Sequence, residues 1–333
     1  MLIAVDAVGG DHYPHNPVQG AVLATKENAD VEILLTGPES VIKEELGKLE
    51  YDSSRIHILH APEIIGMKDS PAAAVKTKRN SSITLGLSAH KKGDCVAFVS
   101  AGNTGALLAA SMFLLGKLDG VLRPTIAATY PTLKGISLLV DAGANLELKP
   151  QMYYQFAVMS SIYAKEIMKI ENPTIGLLNV GEEPEKGLDM HKEVYQMLSD
   201  FDSFKGNIEG GDILLGKTDI YLSDGFSGNV LLKFGESIPE ILNSLLTKTM
   251  KEKGLDADSQ KLVYDVIGTT MKPFNYEHVG GIPFLGVNGM SLVGHGSSSP
   301  VAIKNMILNA VKCVEHKIND KIVSTINGKD SVE

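Results

Sequence analysis

Cysteine is nearly absent from this sequence. Among 333 residues only Cys95 and Cys313 occur, too few for a disulfide framework or a thiolate zinc cluster. That usage fits a reducing cytosol. No apolar run is long enough to span a bilayer. Positive charge is not in excess either: 31 Lys and Arg against 40 Asp and Glu leave a net charge of −9, which argues against a general nucleic-acid binder. An acidic chain can still carry a local basic patch, so the balance excludes little else. The first residues, MLIAVDAVGGDH, have no basic stretch ahead of their apolar run and are expected to form a first strand rather than a secretion signal. A Gly-x-Ser-x-Gly elbow is missing, which leaves acyl-serine chemistry poorly supported. P-loop and dinucleotide fingerprints are missing too, and no His, Asp and Glu grouping has metal-ligand spacing.

What is present is apolar material, 44% of the residues against 21% charged, together with 33 glycines. That suffices for a large core and excludes a disordered chain. Six short apolar runs end abruptly in glycine and small polar residues: Leu2 to Val5, Val96 to Val99, Ser137 to Val140, Ile175 to Leu178, Ile220 to Leu222 and Met290 to Val293. Unalternating runs of this kind suit strands buried on both faces. Helical patterns lie between them, over Thr104 to Leu118 and Gln151 to Ile170, and Pro300 to about Lys317 is expected to close the fold. Strands alternating with helices predict a mainly parallel sheet with helices on both sides, a three-layer α/β/α sandwich. Ligands in such sheets sit beyond the carboxyl ends of the strands, so the active site is expected in one crevice at the six polar strand ends. From Glu236 to about His278 the rhythm breaks. Two helices are predicted there, Ile238 to Lys253 and Ser259 to Met271, the first with Ile241, Leu242, Leu245, Leu246 and Met250 in one stripe beside several lysines. No low-complexity linker divides the chain, so a single catalytic domain over 1–333 with a helical arm at about 236–278 is expected.

Asn103, Asn145, Asn179 and Asn229 closely follow apolar runs, as do Asp6, Asp141 and Asp224. Asn both donates and accepts hydrogen bonds, which suits a phosphate or a thioester carbonyl. Each residue alone has an ordinary reading as a turn or cap, and recurrence at several strand ends weakens that reading for the set. Ser100 to Gly105 (Ser-Ala-Gly-Asn-Thr-Gly) runs straight into a helix, where backbone N–H groups favour an anion; the alternative is a plain capped helix. His12 and His295 lie at glycine-rich strand ends, able to donate to phosphate or to move a proton for a departing thiolate, although a lone histidine is more often structural. Lys186, in a polar loop after a strand, could hold phosphate as a compact cation or be simply solvated. Arg123 and the cluster Lys76, Lys78 and Arg79 are further anion candidates.

These blocks resemble one family. Val5 to His12 (Val-Asp-Ala-Val-Gly-Gly-Asp-His) is similar to the opening signature of the PlsX phosphate acyltransferases. So are Ser100 to Ala106, Asp141 to Asn145, Asn179 to Gly181 with Lys186-Gly187, Asp224 to Val230, and His295 to Ser298, in the family's order over nearly the whole chain. Departures are Val8 for the usual Met, Ala142 for a frequent Val, Lys76 for Arg, and Ser299 for an acidic residue. The resemblance implies an α/β/α fold of the isocitrate/isopropylmalate dehydrogenase type, also shared with phosphotransacetylases. It implies an enzyme that moves a long acyl chain from acyl carrier protein to inorganic phosphate, with acyl-phosphate passing to phospholipid synthesis through a downstream glycerol-3-phosphate acyltransferase. No cofactor and no metal are implied. A homodimer is, in the cytoplasm and reversibly associated with the inner face of the cell membrane through a helical tip. With the strand-end reading, it makes Lys186, Asn229, His12 and His295 the catalytic candidates. Asp6, Gly9, Gly10, Ser100, Gly102, Asn103, Thr104, Gly105, Asp141, Asn145, Asn179, Gly181, Asp224, Gly228 and Ser297 are the substrate-binding ones. Two rival readings are a nicotinamide- and metal-dependent hydroxy-acid dehydrogenase on the related fold, and a non-catalytic scaffold that binds lipid or carrier protein.

Overall fold

The computed structural model describes residues 1–271 and 280–328. In chain order its elements are β1 (Leu2–Asp6), α1 (His15–Glu27), β2 (Glu32–Gly37), α2 (Glu39–Leu46), β3 (Ile56–His60), α3 (Pro71–Thr77), α4 (Ser82–Lys92), β4 (Ala97–Ser100), α5 (Thr104–Leu114), β5 (Thr125–Thr132) and β6 (Gly135–Val140). They continue with α6 (Pro150–Glu166), β7 (Ile175–Leu178), α7 (Asp189–Leu198), β8 (Phe204–Ile208), α8 (Gly210–Leu215), β9 (Ile220–Leu222), α9 (Gly225–Glu252), α10 (Ala257–Thr270), β10 (Ile282–Leu285), β11 (Met290–Val293), α11 (Pro300–Glu315) and α12 (Ile318–Ile326). Two compact units divide them. The first holds Met1–Ala127, Tyr154–Asn172 and the described residues from Gly280 onward; the second holds Ala128–Tyr153 and Pro173 to Met271.

In the first unit the strand order is β3-β2-β1-β4-β11-β10, with the first residues of β5 beyond. β1, β2, β3, β4 and β11 run parallel, and β10 is antiparallel to both of its neighbours. The register sets Val5 beside Val99 and Ser100 beside Val293, so the loops after β1, β4 and β11 leave from one edge. β4 and β11 are buried along their whole length, as unalternating apolar runs require. One helix layer is α1 packed on α11; α4 and α5 pack together against the same strands.

The second unit carries β6-β9-β7-β8, all parallel. Here Val140, Leu222 and Leu177 lie in register, and again the loops after them share an edge. Tyr130, Leu139, Ile208, Ile213 and Tyr221 form the core. The hydroxyls of Tyr130 and Tyr221 donate to backbone carbonyls, of Leu231 and of Ile213.

All six expected strands are present. Five others, β2, β3, β5, β8 and β10, escape the sequence reading, two of them because Pro131 in β5 and Pro283 in β10 interrupt the pattern. The larger correction concerns the excursion. Its first helix starts at Gly225, not near Ile238, and runs 28 residues with Pro239 inside it. Asp224 caps it by accepting from the Ser227 amide at 2.8 Å, so the glycine-rich block that reads as a strand-end loop is a helix start. Residues 272–278 of the expected arm, and the tail from 329, lie outside the described residues.

His90 on α4 donates through Nδ1 to the Cys95 carbonyl at 3.0 Å, which leaves a buried Nε2 with no partner among the described residues. Burial lowers its pKa from the ordinary 6.5. The unfolded chain therefore takes up this proton before the folded one does, and stability falls as pH drops below 6.5 towards the folded-state value. Melting between pH 7 and pH 5 should show a shallower loss for His90→Gln than for the native chain; equal slopes would remove His90 as a cause.

Candidate active site

The expected site residues fall into two constellations, one in each unit. In the first unit Asp6 ends β1 and Ser100 ends β4. The Ser100 hydroxyl donates to Asp6 Oδ2 at 2.7 Å and accepts the Gly102 amide at 3.0 Å, while Asp6 Oδ1 accepts the Val8 amide at 3.2 Å. Burial raises the Asp6 pKa, opposed by hydrogen bonds from Ser100, Ser82 and the Val8 amide. Gly9 is pressed into this knot: a Cβ there would lie 2.6 Å from Asp6 Oδ2 and 2.9 Å from the Gly102 nitrogen. Only glycine lets the two turns approach so closely.

The loop after β11 joins them. The Asp11 amide donates to the Gly296 carbonyl at 2.7 Å, which ties the segment of Gly10 and exposed His12 to that of His295 and Ser297. His295 Nδ1 lies 2.7 Å from Ser297 Oγ and accepts the Ser297 amide at 3.3 Å, so the hydrogen of the neutral ring sits on Nε2. Ser299 caps α11 by accepting the Ala302 amide at 3.2 Å.

Asn103 is turned away from this chemistry. Its amide nitrogen donates to the carbonyls of Gly66, Met67 and Asp69, and its oxygen caps α5 at the Ala106 amide. It pins a loop. Gly105 packs on Pro71, and Thr104 is exposed at the helix start. Lys78 is engaged by Asp69 and the Ile64 carbonyl; Lys76, Arg79 and Arg123 are exposed.

In the second unit Asp141 is fully buried at the end of β6. Its carboxylate accepts the amides of Ala144 and Asn145, at 3.1 and 2.6 Å, and the Asn145 side-chain nitrogen at 2.9 Å. The start of α9 sits directly on this loop. The Gly225 amide donates to the Asn145 carbonyl at 2.8 Å, and a Cβ on Gly228 would lie 1.9 Å from the Asp141 carbonyl oxygen. Asn229 follows, exposed, its side chain bordering Gly143. Tyr153, near the start of α6, is completely buried, and its hydroxyl has no hydrogen-bond partner among the described residues. Burial raises its pKa, helped by the carboxylates of Asp224 and Asp141. Sequence reasoning missed this residue because a tyrosine in an apolar helix reads as core.

Asn179, Gly181 and Lys186 share the loop after β7. Asn179 bridges it, donating to the Lys186 carbonyl at 3.0 Å and accepting the Val180 amide at 2.8 Å. The Lys186 ammonium is exposed, 4.0 Å from Glu183. Both cysteines are buried, the Cys95 thiol pushed up to about 11 and that of Cys313 to about 12 by burial, far from a reactive thiolate. Among the described residues no three His, Cys, Asp or Glu side chains gather as a metal site.

An α/β fold with a mostly parallel sheet, flanked by helices and carrying its polar turns at the strand ends, is the scaffold of the phosphotransacylases. The chain matches a phosphotransacetylase from Streptococcus pyogenes with a TM-score of 0.62 over 95% of this chain and 94% of that one, at 17% identity. It also matches the 4-hydroxythreonine-4-phosphate dehydrogenase of Klebsiella pneumoniae with a TM-score of 0.51 over 93% and 96%, at 10% identity. Both likenesses are of fold. In sequence it is 47% identical over 312 residues, 92% of each chain, to the phosphate acyltransferase of Salinibacter ruber, and the fatty acid synthesis protein family matches residues 1–321. The chain belongs to that family, and it is an acyltransferase.

Proposed function

We propose that this enzyme moves a long-chain fatty acyl group from the thioester of acyl carrier protein to inorganic phosphate, giving acyl-phosphate for phospholipid synthesis. The observation that carries the reading is the buried Asp6–Ser100–Gly102 knot under Gly9, which holds a turn of backbone amides rigid ahead of α5. Such turns suit an anion. Phosphate is itself the nucleophile, so no covalent enzyme intermediate is needed. The protein has to hold phosphate, stabilise the oxyanion that forms on the thioester carbonyl, and assist the departing thiolate. Holding two reactants in place is worth on the order of 7–11 kcal/mol in favourable cases, and one aimed oxyanion donor roughly 3–4 kcal/mol. In this reading the turns at Gly9-Gly10 and Ser100 to Gly102 take phosphate, His295 offers its Nε2 hydrogen to the leaving group, and His12 is a second donor. In the second unit Lys186 is a compact cation and Asn229 a hydrogen-bonding group for a substrate oxygen.

Purified protein mixed with long-chain acyl carrier protein and phosphate, with product trapped by hydroxylamine, is expected to give phosphate-dependent hydroxamate. Hydroxamate that forms equally without phosphate, or none at all, overturns the reading.

We infer further that the enzyme works as a dimer that settles reversibly on membrane lipid. Support comes from α9, where Phe226, Val230, Phe234, Ile241 and Leu245 recur at helical spacing and are 65, 53, 65, 55 and 56% exposed. Lys248, Lys251 and Lys253 near its end are exposed as well, a pairing of apolar stripe and cations that favours an anionic surface. Leu246 is only half-buried and Met250 fully buried, so the lipid face differs from the stripe expected from sequence. Among the described residues no helix is long and apolar enough to cross a membrane. Replacing Ile241 and Leu245 by Glu should abolish flotation with anionic vesicles and leave the elution mass unchanged; a halved mass would assign the stripe to the dimer interface instead.

A further inference from the structure

The chain is acidic, with a net charge of −9, yet Ser70 to Gly93 contains no Asp or Glu. That stretch opens with α3, whose exposed residues are Pro71, Ala72, Ala73, Lys76 and Thr77. Met67 and Lys68 are exposed just before the helix, and Arg79 just after it. The carboxylates nearest in the chain are already engaged. Asp69 holds Lys78 at 2.6 Å and the Gly66 amide at 2.9 Å, and Glu63 accepts the Asn80 amide at 2.7 Å. Arg79 Nε donates to the Lys76 carbonyl at 3.4 Å, and among the described residues Lys68, Lys76 and Arg79 meet no carboxylate.

This surface borders the site of the first unit. A Cβ on Gly105 would lie 2.7 Å from Pro71, and one on Gly296 would lie 3.0 Å from Met67 Cε. Asn103 ties the carbonyls of Gly66, Met67 and Asp69 to the start of α5. The donor in the proposed reaction is a protein, and its body has to rest on the rim of the turns that its thioester enters. Cations without counter-ions at such a rim attract carboxylates, speed the encounter and make it sensitive to salt. Insertion into lipid calls for a bulky apolar stripe, whereas the apolar residues here are alanine, proline and one methionine. We propose that this surface docks an acidic face of the acyl carrier protein, with Lys68, Lys76 and Arg79 pairing its carboxylates around the small patch of Met67, Ala72 and Ala73. The proposal rests on the acyl-transfer reading above and adds to it the place where the protein part of the donor sits.

The test is Lys76→Glu combined with Arg79→Glu in the full chain. The KM for long-chain acyl carrier protein is expected to rise about tenfold at low salt. The KM for phosphate should not move, nor that for long-chain acyl-pantetheine, which has no protein body. Added salt should weaken the native enzyme's use of acyl carrier protein more than the variant's. Lys68→Glu, on the loop and outside the helix, should act in the same direction, and Lys76→Arg, which keeps the charge, should change nothing. An unchanged KM for acyl carrier protein overturns the inference. So does an equal rise for acyl-pantetheine or phosphate, which would mean that the cations act on the small substrates. Lost flotation with anionic vesicles at an unchanged carrier KM would give the surface to lipid, and overturns it too. A binding measurement separates this inference from the reading beneath it. Labelled carrier protein lacking its pantetheine arm should bind the native chain about tenfold more tightly than the doubly substituted one, whether or not acyl-phosphate is formed. Equal binding counts against the docking surface alone, while a native enzyme that makes no acyl-phosphate counts against the proposed reaction alone.

Discussion

Gly228→Ala is expected to cost about 3 kcal/mol or more and to abolish acyl-phosphate formation. The added methyl would sit 1.9 Å from the Asp141 carbonyl oxygen, well inside contact distance, and that oxygen belongs to backbone that cannot rotate aside. The gain from replacing a helical glycine by alanine is about 1 kcal/mol, too small to offset such a clash. Relief therefore requires the first turn of α9 to lift off the Asp141–Asn145 loop, which takes Asn229 with it and breaks the Gly225 bond to the Asn145 carbonyl. Melting should fall by about 6 °C or more for a domain of this size. Gly225→Ala should act in the same direction, its Cβ meeting the Asn145 carbonyl oxygen at 2.4 Å. Gly268→Ala on α10 supplies the control, because a Cβ there meets nothing within 4 Å and should be neutral or stabilising. A Gly228→Ala protein that melts within a degree of the native chain would show that the contact is not as described.

Ser100→Ala is the second large effect, expected at about 2–4 kcal/mol with a marked rise in the phosphate KM. Removing one hydroxyl strips the buried Asp6 carboxyl of a donor and the Gly102 amide of its acceptor at once. The sign of the pH dependence follows from Asp6. Burial already raises its pKa above 3.8, and losing the Ser100 donor raises it further. The variant's deficit is therefore largest where Asp6 is charged in the native fold, and it shrinks as pH falls through the folded-state pKa and the carboxyl becomes neutral. Because the hydroxyl and the carboxylate satisfy each other, Asp6→Ala combined with Ser100→Ala should cost less than the two single losses added together, by about 0.5–3 kcal/mol. Strict additivity in that cycle, measured by urea melts at pH 7, would show that the two side chains do not act as a unit.

Much of this was legible in one dimension. Strand ends such as Val5-Asp6 and Val99-Ser100 are readable because a doubly buried parallel strand must be continuously apolar, and because the turn beyond it must be small and polar. The six runs found that way are all strands; the three strand ends of the first unit, and those of β6 and β9 in the second, are joined by side-chain or backbone bonds close to the expected residues. Where the reading went astray, two local meanings competed for the same residues. Asp224 to Gly228 looks like a loop because glycines and serine dominate it, yet Asp224 caps a 28-residue helix and the glycines are there for contact with a neighbouring loop. Asn103 looks like a ligand group, yet every bond it makes is to backbone.

The order of apolar runs and polar turns along the chain determined the parallel α/β architecture, the family and the segments in which the chemistry is sought, since each of these depends on local patterning. Only the tertiary structure decided which polar groups are already spoken for. Whether Asn179 bridges its own loop, whether Asp6 is buried against Ser100, and whether the Tyr153 hydroxyl is left without a partner all depend on atoms brought together from distant positions. A hydrogen-bonding group has few bonds to make, and the fold alone determines how many of them remain for a substrate.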